Sequence, residues 1–225
     1  ESLSGVSRSY SFATPVQPDS QVSFFVRRVP GGVFSSAIND GNVVGQSVTI
    51  DGPAGDFWLR PSDAPILLVA GGSGLAPVLA LLKDAVAHGV SRPVALLFGA
   101  REERDLYALD EIQEIARQWR GPFRFIPVLS AAAADASWRG ERGLVIDKIP
   151  MVLAAGTHAY LCGPPPMIDS AVALLKLHGT STSPRGRILT AAEYQKHYGD
   201  GEELQKAIEA ICSKTLLFVG CSLTV

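Results

Sequence analysis

The chain has 225 residues, a length for one large or two small domains. Hydrophobic residues make up 47% and charged residues 19%, so a sizeable core can form and global disorder is excluded. The net charge of −2 argues against a nucleic-acid-binding protein or one held on an anionic membrane. Cys162, Cys212 and Cys221 form no CxxC pair, zinc pattern or iron–sulfur run, so no metal site is expected. An odd count without a framework points to a reducing, cytoplasmic setting. No apolar run reaches the roughly 20 residues that span a bilayer, and residues 1–19 are too polar for a signal peptide.

In chain order, residues 7–12 and 21–29 are strand-like, rich in aromatic and β-branched residues and bounded by Pro, Asp and Gly. A turn at Pro30-Gly31-Gly32 runs into a helix start around Phe34 to Ile38, and residues 46–51 form another short strand. Short strands separated by Gly/Pro turns predict a piece of a β-barrel or sandwich. The pattern changes near residues 60–64. Residues 65–70 (PILLVA) are a continuous apolar run, as a strand buried on both faces requires, and a helix is expected over 76–88. The alternation repeats: strand 94–99 and helix 107–119, strand 123–129 and a short helix near 145–153, strand 158–162 and helix 166–178. Four strand–helix repeats predict a parallel α/β sheet. Residues 180–186 read as a polar linker, followed by a capping box at Thr190 and Glu193, a helix over about 202–212 and a strand at 215–220. The expected domains are 1–62, 63–179 and 180–225.

Four segments carry chemistry. Arg8-Ser9-Tyr10-Ser11 offers a donor fork for phosphate, a flat amphipathic ring for stacking, and a hydroxyl that can donate or accept. Alone, it reads more simply as an exposed strand with Tyr10 half-buried. Val26-Arg27-Arg28 leads into Gly32-Val33-Phe34-Ser35, a strand, glycine turn and helix start whose N–H groups would attract phosphate. A hairpin turn with a capping serine fits equally well. Gly71-Gly72-Ser73-Gly74-Leu75-Ala76-Pro77 lies between a buried strand and a helix, the context of a nucleotide phosphate loop. Pro77 stands where the dinucleotide fingerprint has a small residue, and a tight strand–helix turn is the alternative. Cys162-Gly163-Pro164-Pro165-Pro166-Met167 closes the last clear α/β strand at its carboxyl end, where open sheets bind ligands. A buried structural cysteine before a turn would suit that segment as well. Residues 101–105 read as a solvated helix start, and His88, His158, His178 and His197 are too scattered to assign.

In this order and spacing the four segments resemble the ferredoxin–NAD(P)⁺-reductase family, in particular the reductase components of bacterial oxygenases, over about residues 5–179. The resemblance implies α/β with β: a truncated antiparallel flavin-binding β-barrel followed by a parallel-sheet α/β nicotinamide-nucleotide-binding domain. It implies FAD and NAD as cofactors, with NADH favoured because Ser130 is followed by Ala131 rather than Arg; Arg101 and Arg104 keep NADPH open. It puts Arg8 on the flavin phosphate, Tyr10 against the flavin ring and Ser11 near its reactive nitrogen, with Ser9 also among the cofactor-binding residues. Val26 and Arg27 would line the flavin, and Gly32, Val33, Phe34 and Ser35 its pyrophosphate. Gly72, Ser73, Gly74, Ala76 and Pro77 would hold the nicotinamide nucleotide. Cys162, Gly163, Pro164 and Met167 would flank the hydride path, with Ser11 and Cys162 nearest the reacting atoms. Asp110 would face the nucleotide. The implied activity is flavin-dependent NAD(P)H oxidation, with electrons passed to an iron–sulfur ferredoxin domain or oxygenase component.

The sequence departs from that family in three ways. Relatives carry further barrel strands before Arg8. No iron–sulfur cysteine cluster is present, so a ferredoxin module would lie elsewhere. The family's terminal strand is replaced by residues 187–225, which resemble a fragment of SIR2-like proteins without their catalytic histidine. Strand 215–219 is expected to take the place of the missing sheet strand. Two other readings stay open: a nucleotide-binding module without turnover, and an NAD-consuming SIR2-like protein.

Overall fold

The computed structural model describes residues 6–16, 21–41, 43–132, 137–177 and 216–221, with backbone alone for 176–177 and 216–221. The apolar run after Pro65 becomes β1 (Ile66–Gly71), every residue of which is buried. Around it lie β2 (Val94–Ala100), β3 (Phe123–Leu129), β4 (Glu141–Arg142), β5 (His158–Gly163) and β6 (Leu216–Cys221), in the order β4-β3-β2-β1-β5-β6. Every pairing is parallel, with Leu68 opposite both Leu96 and Tyr160.

Successive side chains on a strand point to opposite faces, and the core divides accordingly. Leu68, Ala70, Leu96, Phe98, Tyr160 and Cys162 pack with α2 (Leu75–Ala87) and α3 (Leu109–Gln118) on one face. Leu67, Val69, Leu97, Ala159 and Leu161 pack with α4 (Pro165–Leu177) and the 3-10 turns of Val145–Met151 on the other. Both faces are covered, which is why these strands read as unbroken apolar runs. Each fully buried Leu, Ile or Val side chain contributes roughly 1.5–3 kcal/mol.

The amino-terminal strands are the main correction. Among the described residues, 7–12, 21–29 and 46–51 form no ladder; an isolated antiparallel bridge joins Phe12 to Phe24, supported by Ala13 N–H donating to Ser23 O at 2.8 Å. Strand propensity becomes a strand only where a neighbour takes up its hydrogen bonds. The helix expected there is formed as α1 (Val33–Asp40). Elsewhere the bounds move by a residue or two. α3 starts at Leu109 rather than 107, after a 3-10 turn at Glu103–Asp105 with reciprocal Glu102 and Asp105 caps. The two-residue β4 was not foreseen. The expected strand near 215–220 is β6, parallel to β5 with Leu216 opposite His158 and Cys221 opposite Gly163. The predicted linker at 180–186, the capping box at Thr190 and the helix at 202–212 lie outside the described residues.

Candidate functional site

The site begins at α1. Gly31 has φ +73°, so the chain turns sharply after Pro30. A β-carbon on Gly32 would fall 2.6 Å from Ser35 Oγ and 3.1 Å from Val29 O, so only glycine lets the helix start this close to the preceding segment. Ser35 is buried; its Oγ accepts from Val29 N–H at 3.1 Å and donates to Gly32 O at 3.4 Å. Asn39 Nδ2 donates to Val26 O (3.2 Å) and Ser35 O (2.8 Å). Arg28 Nε and Nη2 both reach Asp40 Oδ2, at 3.0 and 2.9 Å. These bonds staple α1 along residues 26–29. The resulting hollow, of about 420 Å³, is lined by Gly31, Gly32, Val33, Ser36, Ala37, Asp40 and Gly41. Its one carboxylate, Asp40, is paired with Arg28, so the hollow is not closed to an anion. No side chain caps the α1 amino terminus. Phe34 also meets the first motif: its ring lies 5.6 Å from that of Tyr10, tilted by 32°. Arg8, Ser9 and Arg27 are exposed, while Ser11 and Val26 are half-buried.

The second half of the site lies at the carboxyl ends of β1 and β5. A 3-10 turn at Gly72–Gly74 joins β1 to α2, with Pro77 in the first helical turn where no amide is needed. Gly74 lies so close to β5 that a β-carbon there would run into the carbonyl of Cys162. A β-carbon on Gly71 would meet Met167 Sδ at 2.6 Å and Pro164 Cδ at 3.0 Å; one on Gly163 would meet Met167 Cε at 2.6 Å. The third and fourth motifs are thus one site, a glycine turn facing a wall of Cys162, Gly163, Pro164 and Met167. Cys162 is buried; Ser73 and Met167 are half-buried. Ala76 is buried in α2, and Asp110 is exposed on the first turn of α3.

Sequence reasoning missed the residue that joins the two halves, Tyr107. Its hydroxyl donates to Gly72 O at 3.0 Å. Its ring stands edge-on to Phe25 at 4.9 Å and to Phe98 at 5.6 Å, and Phe25 directly precedes Val26 and Arg27. Burial, and after it the neighbouring Cys162, pushes the phenol well above the usual tyrosine range, so it stays a proton donor. The available signal was an aromatic residue in the segment after β2, a segment read for its charged residues, Arg101, Arg104 and Asp110. Two further contacts fix the halves. Lys83 Nζ on α2 pairs with Glu111 Oε2 at 2.6 Å and donates to Ala13 O at 3.3 Å. In the connecting segment, Arg60 N–H donates to Tyr160 Oη at 2.9 Å, and the buried Arg92 donates to Arg60 O at 3.0 Å and Ala64 O at 2.5 Å.

The comparisons with known proteins follow this division. Residues 2–58 match the family described as oxidoreductase FAD-binding domain, and residues 68–173 that described as oxidoreductase NAD-binding domain. Over residues 2–173 the chain belongs to the ferredoxin–NAD(P)⁺-reductase-like family. Residues 167–224 also match a SIR2-like domain, a stretch that contains β6. Among the reductase-like relatives, the xylene/toluene monooxygenase electron transfer component of Pseudomonas putida is 47% identical over 165 residues, covering 73% of this chain and 47% of the relative. The propane 2-monooxygenase reductase component of Mycolicibacterium smegmatis is 40% identical over 176 residues, covering 75% and 50%. The chain spans about half the length of these curated relatives. Among solved structures, a cytochrome P450 reductase of Amycolatopsis matches with a TM-score of 0.62 and 36% identity, over 81% of this chain and 55% of that one. A ferredoxin reductase of carbazole 1,9a-dioxygenase matches with a TM-score of 0.66 and 27% identity, over 79% and 54%. These reductase-like folds agree with a flavin-binding region followed by a parallel α/β sheet. No helix among the described residues is long and apolar enough to cross a membrane.

Proposed function

We propose that this chain is the NADH-oxidising, flavin-carrying part of an oxygenase reductase, handing electrons to an iron–sulfur or oxygenase partner. The observation that carries the reading is a chain of contacts: Tyr10 meets Phe34 on α1, Asn39 of α1 holds Val26 O, the adjacent Phe25 meets Tyr107, Tyr107 holds Gly72 O, and Gly74 lies against Cys162. Several similar proteins bear names of this kind, as electron transfer or reductase components of monooxygenases and of a toluate dioxygenase. Residues 1–62 serve the flavin and 63–179 the nicotinamide nucleotide, and within 180–225 the strand 216–221 extends the sheet beside β5.

The residues present fit both cofactors. The hollow along α1 has a glycine floor, an uncapped helix start and exposed arginines nearby, which suit a pyrophosphate. In this reading Arg8 meets phosphate with Ser9 beside it in the cofactor site, Tyr10 meets the ring, Val26 and Arg27 line the flavin, and Ser11 offers a hydroxyl beside its reactive nitrogen. Ser36 lines the hollow, while the Ser35 hydroxyl shapes the loop from behind. Gly72, Ser73, Gly74, Ala76 and Pro77 form the nucleotide turn, and Asp110 borders it. Cys162, Gly163, Pro164 and Met167 form a side-chain-poor wall against which the nicotinamide would lie. A flavin, when bound, accepts a hydride as an electron pair and releases electrons singly. The chain's own contribution is alignment and exclusion of water; no general acid–base pair is needed. NADH is the preferred donor, because Ser130, which donates to Ala100 O at 3.4 Å, is followed by Ala131 rather than by a cation.

The test is an absorption spectrum of the purified chain with FAD, before and after anaerobic NADH. Visible flavin bands that bleach on NADH addition support the proposal. A colourless chain that still binds NADH would instead make it a nucleotide-binding module without turnover.

A further inference from the structure

Tyr107 belongs to none of the four motifs, yet it touches both halves of the site. Its hydroxyl holds the carbonyl of Gly72, whose φ of +52° only a glycine adopts readily. Its ring is wedged between Phe98 on β2 and Phe25 on the flavin-side segment. The following residue, Ala108, has φ +55°, the one non-glycine residue in the left-handed region among those described. Such a backbone persists only where its surroundings impose it, and it is what turns the chain from the Tyr107 contact into α3.

The geometry points to Tyr107 as a positioning residue that pins the Gly72–Gly74 turn in its dinucleotide-binding shape and sets the spacing of that turn from the flavin-side segment around Phe25. This rests on the nicotinamide reading given above. A glycine turn has many conformations open to it, and fixing one carbonyl removes part of the ordering cost of binding. The hydroxyl and the ring make separable contributions. The first acts on the affinity for the dinucleotide; the second acts on the rate at which a bound dinucleotide reduces flavin.

The experiment is a calorimetric titration of NAD⁺ into the whole chain and its Tyr107→Phe, Gly72→Ala and doubly substituted variants. Tyr107→Phe should raise the Kd roughly five- to tenfold, the worth of one hydrogen bond, with flavin content and visible spectrum unchanged. In the Gly72→Ala background the same change should add less than about twofold, because both substitutions act through one turn. Tyr107→Ala should also slow flavin reduction at saturating NADH, and Tyr107→Phe should restore that rate. A Tyr107→Phe chain that binds NAD⁺ within twofold of the parent overturns the proposal, whatever its Tm. So does one that no longer folds, since the role would then be structural. If the unsubstituted chain itself fails to bind NAD⁺, the nicotinamide reading falls, and this inference with it.

Discussion

Ser35 illustrates how a side chain can serve a ligand loop without facing it. The residue type invites a phosphate contact, but its Oγ is spent on Val29 N–H and Gly32 O inside the turn. Ser35→Ala would leave a partly buried amide without its acceptor, and should cost about 1–3 kcal/mol in urea denaturation. Flavin affinity should fall with it, because the glycine turn loses its internal brace. His158 bears on pH. It is buried at the start of β5, and burial first, then the nearby Arg92 charge, lowers its pKa from 6.5 to about 4. The unfolded chain therefore binds this proton at a higher pH than the folded one. The stability that the neutral ring contributes is full above pH 6.5 and is lost as pH falls towards 4. Tm should drop over that window, and His158→Gln should flatten the drop; an unchanged slope would contradict the assignment. Glycines were the most readable residues, since Gly72 marks a left-handed turn and Gly74 a close backbone approach. Tyr107 was not readable, because its meaning depends on a carbonyl 35 residues away and on a ring in the other half of the site.

At the scale of elements, the α/β strands were legible because burial on both faces removes polar alternation, as in β1 and β5. The amino-terminal segments were over-read for the opposite reason. Their β-branched and aromatic content is genuine, but a ladder is a property of a pair, and among the described residues of these segments only Phe12 and Phe24 bridge. The two-residue β4 is too short to have any periodicity. The connection between the halves was seen only as a change of composition near residues 60–64, whereas it is held physically by Arg92 and Tyr160. Arg92→Met would delete two charge-assisted bonds from a buried guanidinium and strand the carbonyls of Arg60 and Ala64. A loss of about 2–3 kcal/mol in urea denaturation is expected. NAD⁺ binding measured by calorimetry should be nearly unchanged, since the glycine turn lies at the other end of β1, while flavin reduction by NADH should slow.

For the whole molecule, the sheet is one continuous surface of six strands, and its edge is formed by a segment from the SIR2-like match. The expectation that this strand would fill the sheet edge holds, although its parent resemblance is to another family: an open edge beside β5 accepts any apolar strand of suitable length. Amide exchange gives an independent check. Amides in 216–221 that pair with β5 should exchange as slowly as those of β5 itself, and exchange at unstructured-peptide rates would detach β6 from the sheet. Above that sheet, hydride transfer requires two nucleotide rings brought together between the glycine turn and the Tyr10–α1 side. The most direct test is anaerobic single-turnover reduction of the FAD-loaded chain by NADH carrying deuterium on one or the other face of nicotinamide C4. One stereoisomer should bleach the flavin with a primary isotope effect and the other without one, because a fixed slot presents a single face. No bleaching, or the same rate with both labels, would contradict a shared, ordered cleft.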